Sequence, residues 1–348
     1  MPEASAADLD WAGALEALLS TPELGDKSWI YRQYDSTVRA NTVVGPGGDA
    51  AVLRLQGTPS ALALSSDVNP VYCYLDPRTG GRQAVAEAAR NLACVGARPL
   101  ALTDCLNFGS PEIPEVAWQL RECIEGMAEA CRALEVPVVS GNVSLYNDTE
   151  GRSIHPTPTV AMVGLIEELE ARSHPELGAT LLEAGHRLLL LGSGHDAFGG
   201  SAYLRLLFDV EQGHPPPVDL AAEAALGRAL RELHRRGALA TCHDLSDGGL
   251  AVALAEASFG RGIGARVHLE GPPLALFAEN QGRALVAVTA ERVNEVLAVA
   301  EREGVDASEI GEVGGEHLEF DTAGERWRVE VARLHRAWQR ALPRALGL

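Results

Sequence analysis

Short apolar runs of strand length alternate along this chain with stretches whose apolar residues recur every three or four positions, and many strand-length runs lead into turns of Gly, Asp, Asn and Ser. That alternation demands helices laid over a sheet, with polar turns gathered at the sheet's ends. A helix is expected over residues 7–20, followed by an aromatic group, Trp29, Tyr31 and Tyr34, that suits packing or an interface. β-rich runs at 50–55 and 61–65 precede a helix with Ala84, Ala88, Leu92 and Val95 on one stripe. A strand at 99–102 leads to a helix from Pro114 whose stripe reads Val116, Leu120, Ile124, Met127 and Cys131. Strands at 136–139 and 159–166 complete the unit, and an acidic, loop-like break occupies 167–180.

The pattern then restarts. A strand at 187–191, a helix at 200–208, a Pro-rich insert at 214–218, a helix at 221–235 and a strand at 238–242 lead into a helix at 249–258. Strands near Val267 and at 284–288, a helix at 292–302 and a C-terminal strand pair follow. The fold class is therefore α/β in the α+β sense, with mixed sheets covered by helices, and 348 residues are enough for two such domains.

Composition narrows the chemistry. Basic residues number 29 and acidic residues 48, a net charge of −19 that opposes both the phosphate backbone of nucleic acid and anionic lipid. No apolar run approaches the ~18 residues needed to span a bilayer, and the chain opens on an acidic helix rather than a basic signal sequence. Six cysteines form no C-x-x-C pair, and Cys123 and Cys131 fall on an apolar helical face, so a reduced cytoplasm is expected. Lys27 is the single lysine and follows Asp26 in a polar turn, which argues against a P-loop and against Schiff-base chemistry.

Four polar loops remain as candidate sites, since ligands in open α/β sheets collect at strand ends. The run Gly45-Pro46-Gly47-Gly48-Asp49-Ala50 has dinucleotide-like spacing, but a β-rich run follows where a helix is required; it reads as a plain hairpin turn or as a turn presenting Asp49 to Mg²⁺. Ser65-Ser66-Asp67-Val68-Asn69-Pro70 offers hard oxygen ligands, or an ordinary Asx turn. Residues 103–109 and 140–147 each place glycine, amide and carboxylate or hydroxyl in what reads as a short exposed turn suited to phosphate and metal. His243-Asp244-Leu245-Ser246-Asp247-Gly248-Gly249 and its counterpart at 192–201, which includes His195, precede helices, where they suit phosphate binding or simple capping. His243 reads as a general base or, more commonly, as a histidine satisfied by its neighbours.

Taken together, several runs carry a resemblance. These are Trp29-Ile30-Tyr31-Arg32-Gln33-Tyr34-Asp35, the segment 42–53 around Gly45-Pro46-Gly47-Gly48-Asp49, Tyr74-Leu75-Asp76-Pro77 and Ala84-Val85-Ala86-Glu87-Ala88-Ala89-Arg90-Asn91. Thr103-Asp104-Cys105-Leu106-Asn107-Phe108-Gly109, Ser140-Gly141-Asn142-Val143-Ser144-Leu145-Tyr146-Asn147, Phe198-Gly199-Gly200-Ser201 and the His243 run complete the set. In order and spacing, over residues 28–320, they resemble the phosphoribosylformylglycinamidine synthases, and only the C-terminal half of the small, glutaminase-free form.

The resemblance implies an aminoimidazole-ribonucleotide-synthetase-like pair of domains: an N-terminal mixed-sheet dimerising domain at 28–168 and a C-terminal α/β domain at 176–335, after an N-terminal helix and linker at 1–27. It implies an ATP-dependent C–N ligase of purine biosynthesis that turns formylglycinamide ribonucleotide and ammonia into the amidine. ATP and Mg²⁺ would serve it, and its partners would be the N-terminal half of the synthase, a glutaminase subunit and a small bridging subunit. Carried over by position, Asp104 and Gly141 resemble ATP contacts, Asn142 a magnesium ligand and Ser144 a substrate contact, with Asp49 and Asp67 at an auxiliary nucleotide site. Residues 278–283 resemble a substrate-binding segment, with Asn280 where the family usually has serine. The family's catalytic histidine sits in a Ser-Glu-His-Cys run that this chain lacks, so no catalytic residue is expected here. Alternative readings are a nucleotide-binding half without turnover, or another enzyme of the superfamily such as aminoimidazole ribonucleotide synthetase or thiamine-monophosphate kinase. A homodimer of the isolated chain would bury the same pseudo-symmetric face.

Overall fold

The computed structural model describes residues 10–169, 180, 183–194 and 196–348. Residues 7–9 of the expected first helix, 170–179 of the expected break, and His195 lie outside the described residues.

Helix α1 (Trp11–Leu19) starts where Asp10 accepts a hydrogen bond from the Gly13 amide at 2.7 Å. After the short α2 (Ser28–Tyr31), strands β1 (Thr42–Val44), β2 (Ala51–Arg54) and β3 (Ala61–Asp67) form an antiparallel meander. Helix α3 (Pro70–Leu75) is capped by Asn69, and α4 (Pro77–Cys94) by Asp76, each with proline at the first helical position. Strand β4 (Arg98–Asn107), helix α5 (Pro114–Ala133), strand β5 (Val138–Ser144), a small ladder of β6 (Asp148–Thr149) and β7 (Arg152–Ser153), and strand β8 (Thr157–Ile166) complete this part. The sheet order is β1-β2-β3-β8-β4-β5, antiparallel except for the parallel β4/β5 pair. One face is packed by α4 and α5, with Ala88, Leu92, Leu102, Met127 and Met162 in the core.

The two helices approach closely. A Cβ at Gly81 would overlap the Cys123 carbonyl, and one at Gly126 the Arg78 carbonyl. This contact turns α5 so that Cys123, Met127 and Ala130 are buried while Ile124, counted in the apolar stripe, is exposed.

The second sheet contains β9 (Arg187–Leu191), β10 (Thr241–Asp244), β11 (Ala265–His268), β12 (Ala284–Val288), β13 (Ala307–Val313), β14 (His317–Thr322) and β15 (Glu325–Glu330), in the order β10-β12-β9-β13-β11-β14-β15. Helices α6 (Ala202–Phe208), α7 (Leu220–Arg235), α8 (Gly249–Phe259) and α9 (Val293–Glu303) connect and cover it. The C-terminal strand pair does not end the chain's structure: α10 (Val331–Ala345) follows. It packs with α1 and α8 into one core through Leu15, Leu18, Leu254 and Leu334, while α7 and α9 bury the other face through Leu226, Leu230 and Val296. Each fully buried leucine contributes roughly 1.5–3 kcal/mol of transfer free energy, so α1 is a working part of the second core. Ala93 and Cys94 of α4 reach that second core as well.

Candidate functional site

Two polar clusters stand apart from these cores, and the first lies on β4 and β5. The runs 103–107 and 140–144 are strand residues, not the turns their composition suggested, because the parallel β4/β5 ladder continues through them. The register sets Asp104 beside Gly141, Cys105 beside Asn142 and Asn107 beside Ser144. Side chains alternate along a strand. Asp104 therefore shares the helix-covered face with Leu102 and Leu106, and Asn142 and Ser144 share the other. The four expected site residues thus meet at one sheet margin but divide between its faces.

Gly141 has a steric role there: a Cβ would overlap the Asp104 carboxylate. Burial raises the Asp104 pKa, and the Asn142 backbone N–H opposes it. Asn142 donates to Cys105 Sγ at 3.7 Å. Ser144 donates to Asn147 Oδ1 at 3.2 Å, and Asn147 in turn donates to the Phe108 carbonyl at 3.0 Å, which fixes the hydroxyl. β5 is the last strand of its sheet, and Val138, Val139 and Val143 are 50%, 68% and 56% exposed along it. An apolar, unpaired edge of this kind is a ready pairing surface. The aromatic group near the chain's start is open too, with Trp29 and Tyr34 exposed.

The second cluster lies inside the chain, between the two sheets. Asp49, in the β1–β2 turn, accepts a hydrogen bond from His243 Nδ1 at 2.7 Å, and His243 Nε2 lies 3.4 Å from Glu256. Burial pulls the imidazole pKa down, but the Asp49 charge and hydrogen bond, helped by Glu256, hold it well above its usual value. His243 is thus held by Asp49 on one side and Glu256 on the other, as in its reading as a histidine satisfied by its neighbours. Asp67, at the end of β3, accepts from Asn91 Nδ2 at 2.8 Å. Burial and the Asp244 charge push it up to about 7, while burial and the Asp49 charge push Asp244 to about 7 against the pull of Arg90. Glu87 is raised well above its usual value by burial and by Asp67.

Arg90 crosses this seam. Its guanidinium donates to Glu223 at 2.7 Å, Asp244 at 3.3 Å, Gln281 at 3.2 Å and the Leu245 carbonyl at 3.4 Å. Nearby, Glu279 accepts from Tyr72, from the Gly248 amide at 2.6 Å and from the Ala202 amide at 2.8 Å, while burial and Asp247 raise it to about 8. Asn69 donates to Asp247 at 3.2 Å besides capping α3.

Ligand atoms of Asp49, His243 and Asp244 lie within 4.8 Å of one another. Asp49 Oδ2 and Asn91 Oδ1 are buried without hydrogen-bond partners. A crowded, buried set of carboxylates with spare oxygens suits a hard divalent cation, whose charge would offset their mutual repulsion. The structure therefore brings Asp49 and Asp67 into one cleft, apart from the Asp104 margin. Sequence reasoning passed over Glu87, Arg90 and Asn91 as site residues because the alanines around them read as an apolar stripe. Their own three- and four-residue spacing is the signal that marks a polar face.

Two family profiles match in tandem: "AIR synthase related protein, N-terminal domain" over residues 47–166, and the corresponding C-terminal domain over 183–322. The chain belongs to the AIR synthase related proteins. Within that class it is a PurL-like half: it is 48% identical over 338 residues to the phosphoribosylformylglycinamidine synthase subunit PurL of Moorella thermoacetica, covering 96% of this chain and 46% of that one. The chain thus spans about half the length of the curated relatives it matches. T. maritima PurL complexed with FGAR shares the fold at a TM-score of 0.75 and 20% identity, covering 92% of this chain and 52% of that one. T. maritima PurL complexed with ATP does so at 0.65 and 22% identity, over 82% and 46%. Among the described residues no helix is long and apolar enough to cross a membrane.

Proposed function

We propose that this chain is the C-terminal half of a phosphoribosylformylglycinamidine synthase, acting in the cytoplasm with an N-terminal half, a glutaminase subunit and a small bridging subunit. It would form the amidine of formylglycinamide ribonucleotide from ATP and ammonia. The observation that carries the reading is the margin of the first sheet: Asp104, Gly141, Asn142 and Ser144 sit on paired strands beside an unpaired apolar edge, open to a partner of similar build. Domains at 28–168 and 176–335, after a segment at 1–27, are the division we adopt, with α1 and α10 serving the second core.

In this reading the formamide oxygen takes the γ-phosphoryl group of ATP, releasing ADP. Ammonia then adds at the carbon and phosphate leaves with the oxygen. Asp104 and the bare backbone at Gly141 would receive the nucleotide, where the missing Cβ allows close approach. Asn142 would hold magnesium, whose charge offsets that of the phosphates. Ser144, fixed by Asn147, would orient the substrate, and the catalytic base would come from the other half.

The interdomain cleft favours a second role beside the first: Asp49 and Asp67, with Asn91 and Asp244, would hold a nucleotide's magnesium without turnover. The test is reconstitution. The chain is mixed with the N-terminal half, glutaminase and bridging subunit, and phosphate release dependent on formylglycinamide ribonucleotide is measured. Asn142→Ala and Asp104→Ala should each abolish it; release that survives both unchanged would leave only the non-catalytic role. Turnover with aminoimidazole ribonucleotide precursors or thiamine monophosphate instead would move the chain elsewhere in its superfamily.

A further inference from the structure

On the flank of the seam between the two domains, α7 carries Arg228, Arg231 and Arg235 at spacings of three and four, so the three arginines form one stripe. Arg98, at the start of β4, faces this stripe, and Arg98 and Arg231 together line two adjoining lobes of about 410 and 330 Å³. The smaller lobe is bounded by Arg90, Arg98, Arg228 and Arg231, with Ala86, Ala89 and Gly227 forming its small-residue walls. Of its acids, Glu223 is already bonded to Arg90, and Glu135 is exposed at the rim. The larger lobe adds Arg235, which Glu232 holds, and the exposed Glu167 and Glu168.

The partners of these arginines are unequal. Arg98 reaches Glu167 at 3.5 Å with both side chains mostly exposed, and Arg228 reaches Glu303 at 3.0 Å. Arg231, half-buried between them, has no ion pair or hydrogen bond among the described residues. Burial first, and then the charges of Arg228 and Arg98, press its pKa down. A guanidinium beside two like charges, opposed only by the charge of Glu303 and with its nitrogens left to solvent, gains from an anion that joins it. It is also out of keeping with a chain whose net charge is −19. The planar donor fork of arginine matches phosphate oxygens, and a lobe of this size is large enough for a small phosphorylated molecule.

We propose that Arg98, Arg228 and Arg231 form an anion site for a phosphorylated small molecule, distinct from the β4/β5 margin and adjoining the acidic cleft through Arg90 and Glu223. Because Arg98 belongs to the first domain and the other two to α7, a bound phosphate bridges the domains. Its occupation stabilises their present arrangement by linkage.

The test uses the full chain in EDTA, so that metal-dependent nucleotide binding is silent, with inorganic pyrophosphate titrated calorimetrically at low salt. Wild type should bind with a dissociation constant on the order of 0.1–1 mM. Arg231→Gln should weaken binding roughly 10-fold or more, as removal of a charged donor does. Arg98→Gln lies on the surface, where it does not endanger folding, and should weaken binding similarly. Arg326→Gln, at an exposed arginine outside both lobes, should bind as wild type does. Absence of binding up to about 10 mM, equal binding by Arg231→Gln and Arg98→Gln, or binding of poly-glutamate but not pyrophosphate would each overturn the proposal.

Discussion

Replacing Arg90 by methionine should destabilise the chain far more than removal of any surface arginine. The Arg90 side chain is 1% exposed, and those of its carboxylate partners Glu223 and Asp244 are 3% and 4% exposed. Methionine fills much of the volume but leaves both acids buried without their cation, a situation that costs about 3–5 kcal/mol. Asp244, already pushed to about 7, can escape part of the penalty by taking a proton. Glu223 loses its 2.7 Å bond to the guanidinium outright. Equilibrium urea unfolding at neutral pH measures the difference. Arg326→Ala, which breaks an exposed pair with Asp321 at 2.9 Å, serves as the control and should cost under about 1 kcal/mol. Adding Glu223→Leu to Arg90→Met should recover much of the loss, since the orphaned charge goes with it. A loss below about 1 kcal/mol for Arg90→Met, or no recovery in the double variant, would refute the view that this ion network holds the seam together.

Four further expectations concern the two polar clusters and the open edge of the first sheet. Asp67 and Asp244 have folded-state values near 7, above those of the unfolded chain, and His243 is likewise raised. Asp67 faces Asp244, Asp247, Arg90 and Asn91; Asp244 faces Arg90, Asp49 and His243; and His243 faces Asp49 and Glu256. Ionising the two acids penalises the folded state as pH rises toward and through 7, and His243 loses its favourable charge as pH rises through its folded value, so the urea midpoint should be higher at pH 6 than at pH 8. Magnesium chloride should raise the pH 8 midpoint in wild type and not in Asp49→Asn; no effect of pH or metal would count against the cleft as a cation site. Gly141→Ala should leave the fold intact, as judged by circular dichroism, yet displace Asp104 and reduce reconstituted phosphate release at least roughly 10-fold, by analogy with misplacement of a binding group. Val139→Lys at the open edge should prevent association with the N-terminal half, and self-association of the isolated chain, in size-exclusion chromatography; unchanged elution would place the interface elsewhere.

The legibility of this chain divides along the range of the forces involved. Strand 284–288 and strand 187–191 have the same bounds in the sequence reading and in the structure, because a continuous apolar run buried on both faces is a local signal. Polar residues at 103–107 and 140–144 disguised two strands as turns: their ladder partners are each other, a pairing between segments far apart in the chain that composition does not encode. The helix α10 was missed beyond the last strand pair, although its apolar residues find α1 at the other end of the sequence. For the candidate sites the same division holds. Asp104, Gly141, Asn142 and Ser144 stand out as candidates through runs of adjacent residues and the resemblance those runs carry, and the structure sets them astride a sheet margin rather than along one turn. Glu87, Arg90 and Asn91 acquire meaning only when β10 and α7 close against α4, which sets Asp244 and Glu223 beside them. A margin left open and a cleft closed internally call for different completions. The cleft has both walls within one chain and can be probed in isolation, whereas β5 has no further strand beside it among the described residues, so in the proposed reading the chemistry of that margin should appear only when the N-terminal half is supplied.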